Sequence, residues 1–401
     1  MFQNLGKLIE SLYIKVNMES LGIRVNSGIF TISDADRNVV NFDMEGRPMF
    51  ITLDSKTYRR GLNNRLILMS WNGEERIIGN VGKEESELIL SRALSYPGKV
   101  GSSEQASNEI SLDRLSGRNI EWLKQDSGRI SSLYKIYPIL PPDASHSIYF
   151  EGSYGARWNL STVTSSHISR EVQFKTQEDL KKHAIDIKDR IGEGIKARKG
   201  IFLGDANIMN MDQKLLLWLL DLLKSSFSLP VMASFDMYTT PKKKNMIHFR
   251  DMKDHGLERV TVFIESGSYK VLRLFNEHTN ATETLNLVNN LKDSGLNVTI
   301  VAMIGTGGKE YSKDHEEGTS NVISQMPLDS QDKVYLAPIV EDDDPWYVQM
   351  ESSRGITRMT YAEKISQMSN LSLKIKESFK GINGTAFPGT LANYDLRELI
   401  Y

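Results

Sequence analysis

Four short stretches carry residue types that hold polar ligands. Gly204-Asp205-Ala206-Asn207, Asp236, Glu265-Ser266-Gly267-Ser268 and Gly305-Thr306-Gly307-Gly308 each follow a run of apolar, strand-forming residues. Their carboxylates can accept hydrogen bonds from an ammonium or from ribose hydroxyls. Their glycines let a ligand approach the backbone. Glycine and aspartate also end strands for local reasons, so one such cluster alone would mean nothing. Recurrence at corresponding strand ends is what gives the set weight. The last cluster precedes a helical pattern and has the makings of an anion nest. Lys309-Glu310 does not supply the Lys-Ser/Thr ending of a P-loop.

The elements that must position these residues alternate in type. Strands are predicted at Ser147–Gly152, Gly200–Leu203, Val231–Phe235, Arg259–Ile264, Asn297–Ile304 and Lys333–Ile339. Helical patterns lie between them at Gln177–Ile195, Asp212–Ser226, Lys244–His255, Tyr269–Ser294 and Asp314–Gln325. Asp212 suits a helix N-cap, and Gly256 and Gly295 fall where helix-ending glycines belong. This alternation implies parallel βαβ crossovers, with ligands at the carboxyl ends of the strands. About 190 residues hold six units, against roughly 250 for an eight-unit barrel. The expected fold class is therefore α/β, as a partial (βα)6 barrel or a doubly wound sheet.

Residues 1–140 read as an α+β lobe. Short strands and turns are expected over Ile23–Ile32 and Pro48–Leu53, a helix over Glu84–Ala93 and a loop over Gly98–Asn108. Pro138, Pro141 and Pro142 punctuate the chain, placing the barrel at 141–340 and a C-terminal extension at 341–401, helical over Met359–Phe379.

Composition sets the outer bounds. The chain has 401 residues, 40% apolar and 25% charged, which excludes a disordered or fibrous protein. Lys plus Arg is 49 and Asp plus Glu 51, so a net charge of −2 gives no general pull towards nucleic acid or acidic membrane. The longest apolar stretch, Leu215 to Leu223, is interrupted by Asp221 and far short of the roughly 20 residues of a bilayer span. Lys7 and Glu10 break the opening pattern, so no signal peptide is expected and the expected location is cytoplasmic. There is no cysteine. That removes disulfides, a thiol nucleophile, a thiolate zinc site and a cysteine-ligated iron–sulfur cluster.

One further segment, Gly155-Ala156-Arg157-Trp158-Asn159-Leu160-Ser161-Thr162-Val163-Thr164, follows the first strand. Taken with the glycine-polar clusters, it resembles the radical S-adenosylmethionine (SAM) superfamily, in particular its elongator-type and methylthiotransferase-type core domain. The resemblance covers roughly residues 145–340, about half the chain. It implies a partial (βα)6 TIM-like barrel of the radical SAM type. It implies a cofactor pocket at Gly204, Asp205, Ala206, Asn207, Asp236, Glu265, Ser266, Gly267, Ile304 and Gly305. In that family three cysteines, often spaced Cys-x4-Cys-x2-Cys, bind a four-iron, four-sulfur cluster. Gly155, Trp158 and Asn159 match the surrounding motif, while the ligand positions fall on Ala156, Ser161 and Thr164. Neither alanine nor a neutral hydroxyl replaces a thiolate for iron. The resemblance thus implies the fold without the cluster or radical chemistry, and a pocket whose hold on SAM is weak.

Other candidates rank lower. His167 with His146 or Glu151 lacks a metal-binding spacing. His248 and His255 lie seven apart on one helix, and His315 sits beside Glu316 and Glu317 near the glycine motif. The run Glu341-Asp342-Asp343-Asp344 reads as a solvated charge run before a hard-cation site. Lys242-Lys243-Lys244 and Arg59-Arg60 are small basic spots that could touch RNA phosphates, but the balanced charge argues against a large footprint. Trp218 and the 16 methionines read as packing. No metal ligand set and no catalytic residue is assigned. Three functions compete: a pseudoenzyme acting as a binding or regulatory subunit that retains a SAM or nucleoside pocket; an enzyme using that pocket for polar, non-radical SAM-dependent chemistry, with Asp205, Asp236 or Glu265 as base; and a structural protein partner of a cysteine-bearing homologue.

Overall fold

The computed structural model describes residues 14–16, 21–72, 75–100, 115–134, 140–156, 170–204, 206–235, 244–274, 280–339 and 351–394. The chain divides into two compact units, one of residues 1–139, 185–198 and 397–401, the other of 140–184 and 199–396.

In the first unit, eight strands form an antiparallel meander in chain order: β1 (Ile14–Val16), β2 (Leu21–Asn26), β3 (Ile29–Ser33), β4 (Val39–Asp43), β5 (Pro48–Leu53), β6 (Lys56–Arg60), β7 (Leu66–Asn72) and β8 (Glu75–Asn80). Two hairpins turn on residue pairs with positive φ, Ser27-Gly28 (48° and 76°) and Asp54-Ser55 (51° and 65°). That geometry matches the twist of the flanking strands. Period-two alternation puts Phe30, Ile32, Val40, Phe42, Ile51 and Tyr58 on one buried face. They share a core with Leu90, Ala93 and Leu94 of α1 (Lys83–Leu94), Tyr96 of α2 (Tyr96–Lys99) and Leu123 of α3 (Ile120–Ser131). Of the expected loop Gly98–Asn108, the first two residues end α2, and residues 101–108 lie outside the described ones.

The buried Arg47 organises one end of this unit. It donates to the Asp126 carboxylate at 2.6 and 2.8 Å, to Asp43 at 3.3 Å and to the carbonyls of Ile191 and Arg190 at 2.8 Å each. Burial opposes its charge, but Asp126 and Asp43 override that and raise its pKa. Arg60, read from sequence as a basic spot for RNA, is buried instead. It donates to Asn64 Oδ1 and to the Pro48 carbonyl, because a residue ending β6 on the apolar face turns inward.

The second unit contains a seven-stranded, wholly parallel sheet: β9 (Ser147–Glu151), β12 (Gly200–Gly204), β13 (Val231–Phe235), β14 (Leu257–Ile264), β15 (Asn297–Ile304), β16 (Lys333–Pro338) and β17 (Thr390–Asn393). Spatial order follows chain order without reversal. A doubly wound sheet needs a switch point, so the winding is that of a barrel left open between β9 and β17. Between successive strands run α4 (Gln177–Ile191), α5 (Gln213–Phe227), α6 (Met246–Asp254), α7 (Tyr269–Leu274) with α8 (Ala281–Asp293), α9 (Ser312–Ser324) and α10 (Tyr361–Asn383). Asp212 caps α5 by accepting from the Lys214 and Leu215 amides.

Two readings change. The helical pattern Tyr269–Ser294 is two helices, α7 and α8. The C-terminal extension supplies α10 and a seventh strand, β17, paired in parallel with β16. Thr-Leu-Ala-Asn has little apolar character, and two of its four residues are exposed. An edge strand held by backbone bonds leaves little trace in a hydropathy pattern.

Candidate functional site

Alternation assigns one face of the parallel sheet to the crossover helices and the other to the interior. Phe150 meets His183 of α4 at 4.8 Å between ring centroids, and Phe235 meets Phe249 of α6 at 6.1 Å, so these positions face helices. The register then puts Tyr149, Phe202, Thr261, Val301 and Tyr335 on the opposite face. They are buried and fill the middle of the open barrel.

At the amino ends of the strands, Asp143 Oδ2 accepts from Thr299 Oγ1 at 2.9 Å and pairs with Lys333 Nζ at 3.4 Å and Arg259 Nε at 3.5 Å. Arg259 also donates to the Val298 and Gln331 carbonyls. This ionic floor closes one end.

The carboxyl ends differ. Gly204 ends β12, Ile304 ends β15, and Glu265, Ser266 and Gly267 lead out of β14. Because β12, β13, β14 and β15 are consecutive neighbours, Gly204, Glu265, Ser266, Gly267, Ile304 and Gly305 come to one edge. Ala206 and Asn207 start the 3₁₀ turn Ala206–Asn210 just beyond β12. Asp205 and Asp236 lie outside the described residues, as do Ser161, Thr164, His167 and the run 341–344. Ala156 ends β10 (Ser153–Ala156), which pairs antiparallel with β11 (Arg170–Phe174), Ala156 opposite Arg170.

Glu265 and Ser266 are both buried. Ser266 Oγ accepts from the Ser268 amide at 3.0 Å and lies 3.0 Å from His315 Nδ1 on α9. Burial pulls the His315 pKa down to about 4, with the Met303 backbone opposing, so the imidazole is neutral at neutral pH. The Gly267 amide donates to Thr319 Oγ1 at 2.9 Å, and a Cβ there would sit 2.3 Å from the Gly318 carbonyl oxygen. Gly267 is thus required for the loop to lie flat on α9.

Gly305 has φ +95°, and its amide donates to Gln367 Oε1 of α10 at 2.8 Å. Gln367 Nε2 in turn donates to Ser312 Oγ at 2.8 Å, and Lys364 Nζ to the Ile339 carbonyl at 2.8 Å. Gly308 lies where a Cβ would meet the Thr357 carbonyl oxygen at 2.5 Å. Much of the glycine-rich loop is therefore used internally, to seat the start of α10. The buried Thr306 Oγ1 has no hydrogen-bond partner among the described residues. Gln367 and Lys364 escape the sequence reading, since an amphipathic pattern does not say which polar side chain turns back onto a loop.

The lesser candidates find ordinary roles. His248 completes the capping box of α6 with Asn245, and His255 pairs with Asp221 at 2.8 Å. Glu151 pairs with Lys175 at 3.0 Å, and Lys181 lies over the Trp218 ring at 5.7 Å. Lys244 donates to Gln213 Oε1 at 2.7 Å and to the Met211 carbonyl, and burial lowers its pKa to about 8. Among the described residues, no group of three or more histidines and carboxylates is placed to hold a metal, and no helix is long and apolar enough to cross a membrane.

No family model and no curated protein matches the chain. Solved structures do. Coproporphyrinogen III oxidase (HemN) of Escherichia coli, a radical SAM enzyme, matches at 12% identity and TM-score 0.43, over 64% of this chain and 56% of that one. Spore photoproduct lyase, as a cysteine-to-serine variant, matches at 14% identity and TM-score 0.44, over 65% and 80%. SuiB of Streptococcus suis, solved bound to S-adenosylmethionine, matches at 11% identity and TM-score 0.38, over 86% and 72%. The chain spans just over half the length of the coproporphyrinogen oxidase.

Proposed function

We propose that this protein is a radical-SAM-like barrel that works without radical chemistry, a binding or regulatory protein that holds SAM or a related nucleoside weakly at the carboxyl edge of its parallel sheet. The observation that carries the reading is the gathering of Gly204, Glu265, Ser266 and Gly305 on one edge of a chain that contains no cysteine. Four adjacent strands at about 4.8 Å spacing span about 14 Å, a reach suited to an extended nucleoside with an amino-acid tail. A buried carboxylate and hydroxyl at Glu265 and Ser266 supply acceptors for ribose hydroxyls or an ammonium. The iron–sulfur cluster does not fit: Ala156, Ser161 and Thr164 offer no thiolate. No step of the reading runs through it.

Titration calorimetry with SAM and with S-adenosylhomocysteine tests the proposal. Binding in the millimolar range is expected, because each 1.4 kcal/mol of lost iron chelation weakens affinity about tenfold. Glu265→Gln, nearly isosteric, should weaken it further by about tenfold while the thermal midpoint stays close to that of the parent. No heat with either ligand at millimolar concentration would refute the reading.

A further inference from the structure

The first unit carries a cleft that the proposed barrel site does not use. Its volume is about 510 Å³, within the roughly 300–1,000 Å³ of small-ligand pockets. One wall is a single stripe of α1. Lys83, Ser86, Glu87 and Leu90 follow one another at steps of three, one and three residues, which puts them on one helix face. Ile120 and Lys124, one turn apart on α3, form a second wall. Arg65, just before β7, and Val81, just after β8, complete the lining used here.

The cleft has an apolar floor and a cationic rim. Leu90 is buried in the core of the unit, and Val81 and Ile120 pack against that core. Arg65, Lys83 and Lys124 are exposed and bring three positive charges to the lining, against one carboxylate, Glu87. Glu84, Glu85 and Glu121 share these helices but do not line the cleft. Glu87 is matched by Lys124 at 3.0 Å. Arg65 spends Nε and Nη2 on a neutral acceptor, Asn80 Oδ1, at 3.0 and 2.6 Å. Among the described residues no carboxylate pairs with Arg65 or Lys83. Two cationic side chains therefore stand beside apolar surface with no negative charge assigned to them.

We propose that this cleft binds a small amphipathic anion, an organic phosphate or carboxylate whose apolar body lies on Val81, Leu90 and Ile120 and whose head group meets Arg65 and Lys83. Burial of the body supplies affinity, and the two cations select a charged ligand over a neutral one. Exposed cations are screened by salt, so the head group alone binds weakly. The site is independent of the nucleoside reading, since all of its residues belong to the first unit and none to the parallel-sheet unit.

Titration calorimetry of the full chain with phenyl phosphate and with benzoate, at constant ionic strength, tests the proposal. Saturable binding is expected, and the tighter of the two ligands names the head group. Inorganic phosphate keeps only the head and benzyl alcohol only the body, so each should bind at least about tenfold more weakly. Arg65→Gln combined with Lys83→Gln should weaken binding about tenfold. Glu87→Gln removes the one carboxylate of the lining, frees Lys124 and should tighten binding about threefold, an effect that a merely structural role would not give. These side chains lie at the surface, so the thermal midpoints should stay close to that of the parent. Lys56→Gln, at an exposed lysine elsewhere in the same unit, should leave the affinity unchanged. No saturable binding of either anion, benzyl alcohol binding as tightly as they do, unchanged affinity in the Arg65 and Lys83 double variant, or weaker binding in Glu87→Gln would overturn the proposal.

Discussion

The two ends of the parallel sheet are built from the same strands and solve opposite problems. At the amino end, Asp143 is held by Thr299, Arg259 and Lys333, and Asp332 accepts from the Val298 and Asp329 amides and pairs with Lys292. Charged side chains there are spent on one another and on strand-end backbone. At the carboxyl end the loops are glycine-rich and a buried carboxylate and hydroxyl sit at Glu265 and Ser266, while each end keeps buried oxygens without a hydrogen-bond partner among the described residues, Asp143 Oδ1 and Ser147 Oγ at one and Thr306 Oγ1 at the other. The first pattern suits stability and the second suits binding, the division expected of barrel faces.

Removing the centre of the amino-end network should have the largest effect. Asp143→Ala leaves Arg259 and Lys333 without their shared carboxylate, and a loss of about 3–5 kcal/mol is expected in denaturant unfolding. A loss below about 1 kcal/mol would erase the distinction between the ends.

His315 brings a comparable but pH-dependent term to the other end. Its folded pKa, about 4, lies below the ordinary value of 6.5, so the unfolded chain binds more protons between those values. Stability should therefore fall as pH drops from about 6.5 to about 4, by about 3 kcal/mol in all, and be flat from this source above 6.5. His315→Gln should remove that slope, read by urea midpoints across the window. An unchanged slope would mean that the imidazole is not held neutral beside Ser266.

Gly267→Ala places a Cβ against the Gly318 carbonyl. A cost of about 2 kcal/mol is expected from overpacking, together with weakened nucleoside binding as the Glu265–Ser268 loop lifts from α9. A stable variant with unchanged binding would separate the loop from the site.

The smallest stability effect is expected from the triple change Ala156→Cys, Ser161→Cys and Thr164→Cys, below about 1 kcal/mol. After anaerobic reconstitution it should hold iron that the parent lacks, while cysteines at Arg157, Thr162 and Ser165 should hold little. Equal iron in both variants would mean that the motif register is wrong.

The sequence carried the barrel more clearly than the site. β13 and β15 run from Val231 to Phe235 and from Asn297 to Ile304, as their near-continuous apolar runs predict, since strands covered on both faces need little polar alternation. Gly256 and Gly295 end their helices with φ of +107° and +79°. What escaped depends on contacts distant in sequence. Gly305 reads equally as a ligand rim or a packing glycine until Gln367, 62 residues later, takes its amide. Arg60 reads as a surface charge until the fold turns it inward.

Hydrogen exchange with and without millimolar S-adenosylhomocysteine tests the central contrast most directly. The amides of 265–268 and 305–308 should slow on ligand addition, while those of 297–299 and 332–334 at the amino ends keep their rates. Equal slowing at both ends, or none at the carboxyl edge at ligand concentrations that saturate calorimetry, would contradict a nucleoside site there.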